Sequence, residues 1–336
     1  MHSRNVRLLS VYAVVITLSA GFGISQAPDT PIGIFDGGVT GALIGVAVMV
    51  FERLTRDIYA RQLRRFKPYT VAAARLLYYL ACFTFIPDLV AWSIHLIRPD
   101  LEVADLIGQR HVLLYFAFAL VVNLFMAVRR MLGARHLWAM TLGRYRRPRE
   151  EEHIVAFMDL KGSTPLAERL GPERYHDFLN DVFFDLADPI SESGGDVYQY
   201  VGDEIVVTWR AKRGLKNGSC VAFLFAVEDA LIKYRETFLA DYGAEPKLRG
   251  ALHIGPLMVG EIGDLKRQIV MIGDTMNTAS RIEGACRKFG RDYVASATLL
   301  ERIGGLPPGV VAESLGLVPL AGKSGEMELV ALSRAF

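Results

Sequence analysis

Cysteine is scarce in this chain: three in 336 residues, Cys82, Cys220 and Cys286. They show no paired spacing, and Cys82 sits inside an apolar run, so neither a disulfide framework nor a zinc module is indicated. A surplus of one charge sign is lacking as well. Lysine and arginine total 38 against 36 aspartates and glutamates, a formal charge of +2, and nothing in that balance points to nucleic acid. What the chain has in excess is apolar surface. Hydrophobic residues make up 51% and mean hydropathy is +0.26, too apolar for an average soluble domain, and most of the excess lies before residue 130.

Four apolar runs, at about 6–24, 34–51, 71–94 and 111–128, have the roughly 18 to 25 residues that cross ~30 Å of hydrocarbon as helix. We read them as four spans of an α-helical membrane bundle. Arg4 and Arg7 precede the first run, and the second connection carries Arg53, Arg56, Arg61, Arg64, Arg65 and Lys67, whereas the first connection has no basic residue. The positive-inside rule then places both termini in the cytoplasm, with the chain multi-pass in the inner (plasma) membrane and the lipid bilayer as a partner. A rival reading makes the first run a signal peptide cut near Ser25-Gln26-Ala27, which Pro28 makes less attractive. Arg75, Asp88 and Asn123 are polar residues in expensive places. His95 and His111 flank the third connection without a metal-site spacing.

After Val128 a basic helix is expected to leave the membrane and end before Pro148, because proline removes a backbone donor and restricts the residue before it. From His153 the pattern reads strand (HIVAFMD), helix (about 172–191), two strands around Gly202-Asp203, helix (about 219–242) and strand (KLRGALHI). That βαββαβ order predicts an α+β ferredoxin-like sheet. Strands at about 257–262 and 267–272 and a helix at about 274–288 should follow. Phe178, Val182, Leu186 and Ile190 recur at helical spacing and are core candidates.

Within this half, VYQYVGDEIVVTW places a Gly-Asp pair between two β-rich runs, a hairpin signal with Asp203 at the tip. Asp159 ends the first strand, just before Lys161-Gly162-Ser163. Taken singly these are ordinary turn aspartates, but two acids at neighbouring strand ends can hold hard divalent cations, which steady nucleotide phosphates. Asn277 and Arg281 are four residues apart on the expected last helix and so share a face. An amide beside a guanidinium suits a ribose and a charged phosphate.

Together FMDLKGST, the GDE hairpin and GDTMNTASR resemble, in order and separation, the class III adenylate and guanylate cyclase catalytic domain, over about residues 153–332. A diguanylate cyclase fits less well, since it leaves the Asn/Arg helix without a role. The resemblance implies two Mg²⁺ or Mn²⁺ ions per site on Asp159, Asp203 and the Leu160 backbone carbonyl, with Gly162, Ser163 and Thr164 at the substrate. It implies that Asn277 orients the ribose and that Arg281 offsets charge on the transferred phosphoryl group. It also implies a homodimer, with metal residues from one subunit and the Asn/Arg helix from the other. The organisation expected is therefore a four-helix transmembrane domain (1–128), a cytoplasmic coupling helix or linker (129–152) and a cyclase catalytic domain (153–336).

The purine positions depart from the family pattern. Where ATP-using members carry lysine and aspartate or threonine, this chain has Gln199 and Val270, and guanylate cyclases tend to have glutamate and cysteine there. Gln199 can donate and accept, and Val270 can do neither, so base discrimination should be weak. The position expected for a phosphate-binding lysine is Ala321, with Lys323 two residues on. The expected function is membrane-bound conversion of ATP to 3′,5′-cyclic AMP and pyrophosphate. The alternatives are the same reaction on GTP, or a catalytically silent nucleotide-binding module.

Overall fold

The computed structural model describes residues 2–27, 30–59, 68–97 and 139–335 apart from 324, with scattered positions between 99 and 128. The chain divides into two units, Met1–Leu137 and Trp138–Phe336.

In the first unit, helices α1 (His2–Gln26) and α2 (Pro31–Tyr59) pack closely, followed by α3 (Pro68–Ile97). Glycine makes that approach possible: a Cβ added at Gly23 would collide with the Gly37 carbonyl oxygen, and one at Gly41 with that of Ser19. Two stretches, Pro31–Phe51 and Ala73–Ile97, are long and apolar enough to cross a membrane, and Tyr12–Ser25 is a shorter apolar helix. The α3 helix continues through Pro87. Asp88 and His95 are exposed on it and Arg75 is half-buried. The fourth run, 111–128, lies mostly outside the described residues, and His111 and Asn123 wholly so.

The second unit is built on a mixed sheet. Its strands are β1 (Arg149–Leu160), β2 (Asp196–Val201), β3 (Glu204–Arg210), β4 (Leu248–Ile262), β5 (Gln268–Ile272), β6 (Tyr293–Ser296), β7 (Val310–Pro319) and β8 (Glu326–Arg334). They run in the order β2-β3-β1-β4-β6-β8-β7, with β5 paired to β4. The β2-β3-β1-β4 core, antiparallel throughout, is the arrangement a βαββαβ chain produces. The β4–β6 pair is parallel.

Alternation along β1 sorts the two faces. Ile154, Ala156, Met158 and Leu160 point into the main core with helices α4 (Ser163–Leu170), α5 (Pro172–Asp185), α6 (Ala187–Ser193), α8 (Ser219–Lys233) and α9 (Arg235–Tyr242). The short α7 (Ala211–Gly214) follows β3. Val155 and Phe157 point the other way, with Val206, Leu257 and Ala279 of α10 (Asp274–Phe289). Ile282, Ala285 and Cys286 extend α10 over Ala251 and Val294. A last helix, α11 (Ala297–Ile303), buries its Leu299 in the main core.

Phe178, Val182, Leu186 and Ile190 are all buried, as their spacing predicts. Three boundaries differ from the sequence reading. The Lys161-Gly162-Ser163 turn leads at once into α4, because Gly162 at φ 71° reverses the chain in a left-handed conformation. The helix expected over 172–191 breaks at Leu186, where Pro189 cannot donate to the Asp185 carbonyl four residues back. Strand β1 begins at Arg149, directly after Pro148, so that Glu150–Glu152 pair with β4.

Candidate active site

The two carboxylates meet through register. Asp159 lies opposite Glu204 in the β1–β3 pair, and the β2–β3 hairpin turns through Gly202 (φ 62°) and Asp203, so the tip falls beside the end of β1. Asp159 is 6% exposed and still charged groups crowd it: Arg287 Nη2 donates to its Oδ2 at 2.7 Å and Arg249 Nε lies 3.4 Å from the same oxygen. Burial, then the charge of Asp203, push the Asp159 carboxyl above the usual range, and the two guanidinium groups oppose that rise. Burial followed by repulsion from Glu283, Asp159 and Asp203 lifts Glu204 to about 7. Glu283 is raised by burial and then by Asp159.

Four carboxylates, Asp159, Asp203, Glu204 and Glu283, therefore share one acid-rich pocket with two arginines. Among the described residues, Arg249 Nε and Glu283 Oε1 are buried with no hydrogen-bond partner and face each other at 3.7 Å. Such a concentration of carboxylates, two of them buried, fits a hard divalent cation. Among the described residues no group of three or more His, Cys, Asp or Glu is arranged to hold a metal ion.

Around the pair, Leu160 is buried opposite Leu248, and Gly162, Ser163 and Thr164 open α4. Tyr175 stands close by, its hydroxyl bonded to Ser163 and its pKa raised by burial and then by Asp203. Gln199 is exposed and lies opposite Val206, next to a bulge at Tyr198. The Tyr198 hydroxyl accepts from the Met271 N–H at 3.2 Å, and Val270, the residue before Met271, pairs with Gly260. One contact therefore ties together the two segments expected to read the base.

Asn277 and Arg281 lie elsewhere. Asn277 is exposed and Arg281 half-buried, one turn apart on α10. A Cβ at Gly322 would sit 3.3 Å from Arg281 Nη2, so Arg281 rests on the loop that carries Lys323. Lys323 Nζ lies 2.8 Å from Asp274 Oδ2, and that hydrogen bond lowers the Asp274 pKa, with help from Arg281. Beneath them His253 is buried with Nδ1 2.9 Å from Ser296 Oγ; burial, then the charge of Lys323, lower its pKa to about 4. Residues two apart on a helix point to opposite sides. Hence Arg281 and Glu283 face different neighbours, and α10 presents Asn277 and Arg281 in one direction while Glu283 and Arg287 meet Asp159.

Sequence reasoning missed Arg249, Glu204, Glu283 and Arg287. Glu283 and Arg287 are legible as an (i, i+4) helix pair, 3.7 Å apart here, but only the packing of α10 on β1 and β4 turns them toward Asp159. Arg249 comes into reach because β4 registers it directly opposite Asp159.

Residues 146–323, more than half of the chain, match the adenylate and guanylate cyclase catalytic domain. The chain belongs to that family. A similar relative is "Adenylate cyclase 2" of Rhizobium meliloti, 39% identical over 207 residues, which cover 61% of this chain and 56% of the relative. The cyclase chain is also 31% identical over 183 residues to "Receptor-type guanylate cyclase Gyc76C" of Drosophila melanogaster, covering 50% of this chain and 11% of that one. It therefore spans little more than half, at most, of the curated relatives it matches. Among solved structures, a bacterial light-regulated adenylyl cyclase superposes with a TM-score of 0.56 at 18% identity, covering 67% of this chain and 66% of that one. The adenylyl cyclase CyaB of P. aeruginosa superposes at 0.50 with 21% identity, covering 56% and 97%. At those identities the likeness is one of fold.

Proposed function

We propose that the chain is a membrane-bound adenylate cyclase, converting ATP to 3′,5′-cyclic AMP and pyrophosphate at sites shared by two copies. The observation that carries this reading is the juxtaposition of buried Asp159 and half-buried Asp203 in an acid-rich cluster inside the family-matched region. When bound there, Mg²⁺ or Mn²⁺ supplies charge for the triphosphate and acidifies the ribose 3′-hydroxyl. Asp159 and Asp203 hold the cations, with the Leu160 carbonyl as a further oxygen. Asn277 orients the ribose, Arg281 stabilises charge on the transferred phosphoryl group, and Gly162, Ser163 and Thr164 line the triphosphate where α4 begins. Lys323 releases Asp274 to reach the outer phosphates.

The opposite outlook of Arg281 and Glu283 on α10 supports assembly of each site from two chains. Met258, Ile262, Leu265 and Ile272, exposed on β4 and β5 and the turn between them, give a second copy apolar surface to bury. Membrane anchorage is supported by apolar side chains that α3 exposes, Leu77, Phe85, Leu89, Trp92 and Leu96 among them; in this reading residues 1–128 form four spans, 129–152 couple them to the cyclase domain and 153–336 carry catalysis, with both termini cytoplasmic. ATP is favoured by the 39% identity to an adenylate cyclase. GTP is the second reading, favoured by the absence of a charged base partner at Gln199 and Val270. Identifying the product formed by the full chain in detergent from ATP or GTP with Mn²⁺ tests both: cyclic AMP, lost in Asp159→Ala and Asp203→Ala, is expected, and a chain that turns over neither nucleotide refutes the reading.

A further inference from the structure

Asp159 Oδ2 already has two cationic partners, and they are not alike. Arg249 is 17% exposed in its side chain and is held by its place opposite Asp159 in the β1–β4 register. Arg287 is 59% exposed and reaches in from the last turn of α10 to a 2.7 Å contact. Its Nε is at the same time 3.7 Å from Glu283 Oε1, one helical turn back, and that oxygen is buried without a hydrogen-bond partner among the described residues. A guanidinium hydrogen-bonded to a carboxylate oxygen and a cation coordinated by it cannot occupy the same direction. Arg287 has somewhere to go: Glu283 and the negative end of the α10 dipole both favour a cation at this position.

We propose that Arg287 competes with the divalent cation for Asp159 and moves onto Glu283 when the cation binds, making the Glu283–Arg287 pair a determinant of metal affinity. The inference rests on the reading that Asp159 and Asp203 hold the metal. Glu283 and Arg287 are positioning residues in this account, since both act through Asp159. The pair works as a threshold: the cyclase domain takes up Mg²⁺ or Mn²⁺ only when the ion outcompetes a tethered arginine.

The test is Mn²⁺ binding to the full chain in detergent without nucleotide, read from loss of the free-ion signal in electron paramagnetic resonance. Arg287→Gln should tighten binding about fivefold, the scale of one charge-assisted hydrogen bond partly offset by solvent. Lys288→Gln, which removes the same charge from the neighbouring exposed position, should leave it near the parent value. Glu283→Gln should weaken binding in the parent and do so less when Arg287→Gln is also present. Equal affinities for Arg287→Gln and Lys288→Gln overturn the competition while leaving the metal site intact. If Asp203→Asn also binds like the parent, the carboxylate reading falls with it. Unfolding temperatures of each variant separate loss of fold from loss of binding.

Discussion

Mixing two inactive variants gives the sharpest test of how the active site is assembled. In one chain Asp159 is met by Arg287 and Arg249, while Arg281 sits against the Gly322 loop and near Asp274. Because the side of α10 that packs Glu283 and Arg287 toward Asp159 is not the side that carries Arg281, a single copy does not turn Arg281 toward its own Asp159–Asp203 pair. Asp203→Ala therefore disables the metal half of each site, and Arg281→Ala the phosphoryl half; loss of one such charge-stabilising group costs about 10² to 10³ in rate. When the two are co-expressed and pair at random, half of the dimers are mixed, and each mixed dimer has one site with both lesions and one with neither. Activity should return to about a quarter of the parent's per chain, since half the dimers carry half their sites intact. The assay is cyclic AMP formation by co-purified chains carrying different tags, against each variant alone. If the mixture stays at the level of the single variants while both are folded and dimeric, the shared-site geometry is wrong.

Two further outcomes follow from the same geometry. His253 has a folded pKa lowered to about 4, below the ordinary 6.5, so the unfolded chain binds the extra proton first. Its contribution to stability is then complete above about pH 6.5 and is lost as pH falls toward 4, by up to about 3 kcal/mol at the low end; thermal unfolding of His253→Asn should show a flatter profile across that window, and a profile parallel to the parent's would contradict the assignment. Gln199→Lys with Val270→Asp should raise the preference for ATP over GTP, measured as the ratio of kcat/KM values, and an unchanged ratio counts against these positions touching the purine.

Much of this protein is legible without coordinates because it depends on local rules. Apolar run length marks Pro31–Phe51 and Ala73–Ile97, runs of apolar and β-branched residues mark β1 and β3, and Gly202-Asp203 marks the hairpin, since each follows from what a few consecutive residues can bury or bend. The spacing of Asn277 and Arg281 is likewise a helix property. Element boundaries are less legible, because a single proline or a pairing partner outweighs the apolar pattern. Pro189 cuts a helix that periodicity alone would run through, and Pro148 starts β1 earlier than the apolar pattern shows.

What the amino-acid order determined by itself is the βαββαβ order of the catalytic half, the two acids at strand ends and the family. What only the tertiary structure decided is which charges meet: Arg249 opposite Asp159 through strand register, Glu283 and Arg287 through the packing of α10, and Lys323 on Asp274 across a loop. The physical reason is that helix and strand periods are written within a few residues, whereas the balance of charge in the site is summed over segments tens to more than a hundred residues apart.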